Sequence, residues 1–164
     1  MRAVAIVSAL VLVSFSTFAQ QPAGQNQPAP TPKTAIYASA ADVAAAVVKM
    51  GDQVHGNQRL LQLPPYSIAV EHRTGVDVAN IHETDAEIYY IIDGTATLVT
   101  GGKLVDEKRT NPANLAGSGV EGGSARQVGK GDIVFIPEGV VHYFSAVQGV
   151  TYMSMHVPRP LPQK

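Results

Sequence analysis

His82, Glu87 and His142 are the residues of this chain whose types and spacing best suit chemistry. The first two stand in His82-Glu83-Thr84-Asp85-Ala86-Glu87, with four residues between them. The third ends the run Gly131-Asp132-Ile133-Val134-Phe135-Ile136-Pro137-Glu138-Gly139-Val140-Val141-His142. Two imidazoles and one carboxylate carried on strands can hold a divalent metal and leave coordination positions open for a substrate or oxygen. The chain has no cysteine, which excludes thiolate ligands and cysteine nucleophiles.

These residues need strands to aim them. From Leu60 onward short apolar runs alternate with turn residues. The pattern predicts strands over Tyr66 to His72, Ala79 to His82, Glu87 to Ile92, Thr95 to Thr100, Ile133 to Ile136, Val141 to Ala146 and Val150 to His156. Asp93-Gly94 predicts a two-residue hairpin between Ile92 and Thr95, because such turns need positive φ. Pro137-Glu138-Gly139 predicts a tight turn. Asn111 to Gly123 holds Pro112, Gly117, Ser118, Gly119, Gly122 and Gly123, and reads as a loop between strands. His55-Gly56-Asn57-Gln58 also reads as loop.

Side chains two apart on a strand share a face. Asn80 and His82 therefore point together, and so do Glu87 and Tyr89. A hairpin closing through Glu83 to Ala86 would set His82 beside Glu87. His142 would enter from a neighbouring strand with Phe144 on its face. The expected interior is Asn80, His82, Glu87, Tyr89, His142 and Phe144. His156 ends the last strand, where it either lines the barrel mouth or is exposed.

Upstream, Ser39 to Met50 predicts the one good helix. Ser39 caps it, Asp42 lies near its positive end and Gly51 stops it. Val43, Val47 and Met50 share a face. Gln20 to Lys33 is rich in Gln, Pro and Ala without apolar periodicity, so residues 20–34 read as a disordered leader. Met1-Arg2, the apolar run Ala3 to Phe15 and the small residues Thr17 and Ala19 read as a secretory signal peptide over 1–19. A membrane anchor is the alternative, but the run is shorter than the roughly 20 residues a bilayer-spanning helix needs. The expected single domain then covers 35–164.

The formal net charge is −1. Cleavage after Ala19 removes Arg2 as its one charged residue, leaving −2. A near-neutral domain with scattered lysines has no footprint for nucleic acid. Export without cysteine points to a bacterial periplasm and a fold held by packing. Regularly spaced strands with one N-terminal helix predict an all-β antiparallel barrel or jelly roll.

The motifs resemble those of the cupin superfamily. Its first motif ends in His, four residues, Glu, six residues, Gly, which His82, Glu87 and Gly94 match. Its second runs Gly, five residues, Pro-x-Gly, two residues, His, which Gly131, Pro137, Gly139 and His142 match at every spacing. The likeness covers roughly Ser67 to His156. Two departures from it stand out. Asn80 stands where the first motif has its first histidine, with Gly75 one residue too close to it for the motif's opening glycine, and Ala146 stands where the second has Asn.

The resemblance implies a cupin-type barrel (a double-stranded β-helix). It also implies metal ligands at His82, Glu87 and His142, with Asn80 as a weak fourth ligand or a group orienting water. Fe, Mn, Zn, Ni and Cu all suit such donors. The expected partner is a small oxygen-bearing substrate or ligand, met by Tyr89, Phe144 and His156. Dioxygenase, lyase and isomerase chemistry all occur among cupins, as does ligand binding without catalysis. Homodimers are common among single-domain members and cover edge strands.

Overall fold

The computed structural model describes residues 32–159. The signal peptide expected over 1–19 and most of the leader expected over 20–34 lie outside the described residues. The described residues fall within one compact unit.

Helix α1 (Ala40–Met50) begins as its sequence predicts. Ser39 accepts from the backbone N–H of Asp42 at 3.2 Å, and the Asp42 carboxylate accepts from the Ser39 backbone N–H at 2.7 Å. This capping box satisfies donors that the first turn leaves unpaired. Gly51, at φ 53°, ends the helix. Ala46 and Met50 are buried with Val70, and Val43 and Val47 pack against them.

The strands are β1 (His55–Leu63), β2 (Tyr66–Arg73), β3 (Ala79–His82), β4 (Asp85–Thr100), β5 (Lys103–Val105), β6 (Lys108–Asn111), β7 (Asn114–Gly117), β8 (Gly119–Glu121), β9 (Ser124–Gly129), β10 (Ile133–Ile136) and β11 (His142–Pro158). All pairings are antiparallel. One sheet runs β1-β2-β11-β3-β7-β6, and β4 pairs with β11, β9 and β10. His142 pairs with Asn80 of β3 and also with Thr100 of β4. The fold of the described residues is all-β, with antiparallel sheets and one short helix.

Five expectations need correction. Asp93-Gly94 is not a hairpin. Both flanks pair with β11, Asp93 with Thr151 and Thr95 with Gln148, so β4 continues through as one strand. Gly94 does adopt positive φ, 74°, but uses it to bend the strand beside Gly149, itself at φ 64°. The interior phase of β4 changes there, from Glu87, Tyr89 and Ile91 to Ala96 and Leu98. A one-residue slip exchanges faces, which is what a bend of this kind accomplishes. The two strands expected at Val141 to Ala146 and Val150 to His156 are likewise one bent strand, β11.

β3 and β4 form no hairpin either. β3 pairs with β7 and β11, and β4 with β9, β10 and β11, so Glu83-Thr84 joins strands that do not pair with each other. Asn111 to Gly123 is not a loop, since it contains β7 and β8. Its glycines mask the alternation that marks a strand, and pairing with β3 and β5 supplies the order. His55 to Gln58 is strand rather than loop, because β2 templates it from Arg73 to Val70.

The main core gathers Tyr89, Ile91, Ala96, Leu98, Val128, Ile136, Phe144, Val150 and Tyr152. It lies below the polar side chains described next.

Candidate metal centre

His82 ends β3, Glu87 lies early in β4 and His142 opens β11. Their ligand atoms fall within 4.8 Å of one another, so the group could hold a metal ion. His142 Nε2 stands 3.1 Å from Glu87 Oε2, and His82 Nε2 stands 3.5 Å from the same oxygen. The backbone N–H of Gly139 donates to the carbonyl of His82 at 2.8 Å. That bond ties the Pro137-Glu138-Gly139 turn to the end of β3, and so joins the two motif segments. Glu87 and His142 are each 4% exposed.

The outer ring nitrogens are anchored. His142 Nδ1 donates to the Val140 carbonyl at 3.0 Å, and His82 Nδ1 faces Asn114 Oδ1 at 3.0 Å. Carbonyl and amide oxygens only accept, so Nδ1 carries a proton in both rings and each Nε2 faces the carboxylate, where it can hold either a proton or a metal. A lone pair facing a carboxylate oxygen is repulsive unless a cation, either a proton or a metal, lies between them. The donor set therefore fits a cation, and outer acceptors that fix each imidazole are the usual support of histidine ligands.

The electrostatics agree. Burial pushes the Glu87 carboxyl up, but the hydrogen bond and charge of His142, the charge of His156 and the Ser154 hydroxyl outweigh it and draw the pKa down to about 2. Burial pushes His142 down, and the hydrogen bond and charge of Glu87 more than reverse this, leaving it raised. Glu87 is fully engaged: Oε2 also accepts from Tyr89 at 3.0 Å, and Oε1 accepts from Ser154 at 2.6 Å. Burial, then the Glu87 charge, raises the Tyr89 hydroxyl well above its ordinary value, so it stays a neutral donor.

The group opens into a cavity of about 190 Å³. At about 30 Å³ per water molecule in the liquid, that is room for roughly six waters or one small organic molecule. Asn80, Tyr89 and His156 line it, as do Glu71, Arg73, Asp77 and Tyr152. The Asn80 amide nitrogen donates to the Val78 carbonyl at 2.9 Å. His156 sits beside the carboxylate with Nε2 3.3 Å from Glu87 Oε1. Phe144, expected in the cavity wall, is instead buried in the core against Tyr89 and Tyr152, with ring centroids 5.9 and 5.2 Å away. It lies two residues beyond His142, about 6.6 Å further along the strand, which carries it below the polar layer.

Several residues of the site escaped sequence reasoning. Ser154 and Tyr152 share the face of His156, and alternation back from His156 would have found them. Asn114 lies in the glycine-rich stretch. Arg73 is held by Asp77 at 2.6 Å, by Glu71, and by the carbonyls of Gly56 and His72 at 2.9 and 3.0 Å. Tyr152 donates to Glu71 at 3.1 Å. This buried ion network walls the cavity and leaves the Arg73 guanidinium largely committed to the protein.

No protein-family model matches the chain, and no curated protein does. Several solved structures align with part of it. A protein of unknown function from Rhizobium leguminosarum is 15% identical, with 78% of this chain and 100% of that one covered and a TM-score of 0.49. A cupin-2 domain protein from Shewanella frigidimarina is 17% identical, with 71% and 92% covered and a TM-score of 0.48. HppE with iron(II) is 14% identical, with 63% and 51% covered and a TM-score of 0.49, so this chain spans about half the length of HppE. One of these partly aligned structures is named as a cupin-2 domain protein, and the motif spacing of this chain resembles that of the cupins.

Proposed function

We propose that this chain is an exported protein that binds one divalent transition metal and presents it to a small oxygen-bearing substrate. The observation that carries the reading is the convergence of the ligand atoms of His82, His142 and the buried Glu87 beside a small polar cavity. His82, Glu87 and His142 would hold the metal, with Fe, Mn, Zn, Ni and Cu all suited to these donors. The bound metal would act as Lewis acid or as the site of oxygen activation, giving dioxygenase, lyase or isomerase chemistry. Tyr89 keeps Glu87 oriented. Asn80 and His156 are the polar groups that would meet the substrate.

Elemental analysis of protein purified without chelator tests this directly. One equivalent of a transition metal is expected, and its absence from protein that also takes up none on addition overturns the reading. Export rests on the N-terminal pattern, and the mature protein is expected to begin at Gln20 by N-terminal sequencing. Ile133 and Phe135 are 73% and 62% exposed on β10, which pairs with β4 alone. They support a homodimer, which sedimentation would detect.

A second reading is a non-catalytic ligand-binding or sensing barrel. Asn80 in place of a histidine favours it, since a smaller donor set retains metal less firmly. Stoichiometric metal without turnover in oxygen-consumption and lyase screens would favour this reading over the first.

A further inference from the structure

Glu87 has two oxygens, and the compact ligand group occupies one side of it. His142 and His82 face Oε2. On the other side, His156 Nε2 lies 3.3 Å from Oε1. His156 is the register partner of Glu87 across β4 and β11, so the two side chains rise from adjacent backbone on the same face. Its ring meets His82 nearly edge-on, at 79°, with centroids 5.0 Å apart.

The orientation of this ring repeats that of the other two. His156 Nδ1 points outward to the Asp85 carboxylate, at 3.7 Å, as His142 Nδ1 does to Val140 and His82 Nδ1 to Asn114. All three imidazoles thus put Nδ1 on an outer acceptor and Nε2 toward Glu87. A strand-end histidine paired only with Asp85 needs no particular ring nitrogen facing the buried carboxylate. An outer acceptor on Nδ1 with Nε2 turned inward is how proteins prepare a histidine for a metal. The sequence shows a matching exchange, because Asn80 removes an imidazole from β3 and His156 adds one from β11.

We infer that His156 is a fourth protein ligand of the metal, entering from the Oε1 side of Glu87 and making a three-histidine, one-glutamate set from a different strand. This rests on the reading of His82, Glu87 and His142 as a metal site. His156 lies outside the group whose ligand atoms fall within 4.8 Å, so its ring must move inward to bind. Its side chain is 25% exposed and borders the cavity, which leaves room for that motion. His142, at 5%, is already locked in place.

Copper(II) titration with pulsed electron paramagnetic resonance tests the inference, because remote imidazole nitrogens report how many rings bind. The wild-type protein is expected to show three imidazoles, and His156→Ala two. The affinity of His156→Ala should fall by more than the roughly 10–100-fold that loss of an outer partner costs. His156→Gln keeps side-chain volume and a hydrogen-bond donor toward Glu87, and should lose the third imidazole equally. Wild-type affinity in His156→Gln, or two imidazoles in wild type and both variants, overturns the fourth ligand while leaving the three-residue site intact. Failure of the wild-type protein to bind a stoichiometric copper ion overturns both readings.

Discussion

His142 holds both ring nitrogens against oxygen acceptors: Nδ1 donates to the Val140 carbonyl at 3.0 Å, and Nε2 stands 3.1 Å from Glu87 Oε2. The first contact fixes the tautomer, and the second demands a cation. In chelator-treated protein that cation is a proton, and in loaded protein it is the metal.

A pH window follows for the chelated form. Glu87 is depressed from 4.5 to about 2, so its contribution is present above about 4.5 and is lost as pH falls toward 2. His142 is raised above 6.5, so its contribution is present below 6.5 and is lost as pH rises through its folded value. The pair therefore stabilises the chelated protein most between about pH 4.5 and 6.5. Metal binding runs the other way on the alkaline side, since the ion displaces the His142 proton. Thermal melts across pH, with Glu87→Gln as reference, should show this window in chelated protein and a metal-induced rise in Tm that grows above pH 6.5. A pH-independent gap between wild type and variant would count against it.

Asn114→Ala removes the outer acceptor of His82 without touching a ligand. Metal affinity should fall by about 10–100-fold, with little change in the Tm of chelated protein. Calorimetric titration measures the first and a thermal melt the second. Unchanged affinity would mean that β7 plays no part in aiming His82.

Arg73→Met leaves Glu71 and Asp77 without their cation in a buried setting. The Arg73 side chain is 12% exposed and those of its partners 10% and 15%. Breaking such a pair from one side costs about 3–5 kcal/mol, which is roughly 10–20 °C in Tm for a domain of this size. A loss under about 1 kcal/mol by urea denaturation would show that the carboxylates find water instead.

Gly94→Val should be worse than Gly131→Ala. Both glycines have positive φ, 74° and 91°. A side chain at Gly131 meets open space, whereas one at Gly94 strikes the backbone of Gly149 and Val150. Strain alone costs about 1–3 kcal/mol at either position, and the clash adds to it at Gly94. Equal denaturation midpoints would argue that β4 and β11 do not need their close approach at the bend.

Local chemistry made much of this protein legible from its residues. The capping box of α1, the strands β2, β3 and β10, the turn at Pro137 and the three ligand candidates all depend on neighbours a few positions away. Period-two alternation placed Glu87 and Tyr89 on one face, and His142 at the head of its strand. Asp93-Gly94 shows the limit. Its need for positive φ was readable, but whether the chain reverses or merely bends depends on β11, which pairs with both flanks.

Tertiary pairing decided the rest. Asn114 reaches His82 across 32 residues, and Ser154 reaches Glu87 across 67. No local pattern encodes such contacts, because strand partners are chosen by the packing of the whole barrel rather than by propensity. The ligand types belong to the sequence. Their outer supports, the cavity wall of Glu71, Arg73 and Tyr152, and the approach of His156 to the far oxygen of Glu87 exist only once β2, β4 and β11 lie side by side.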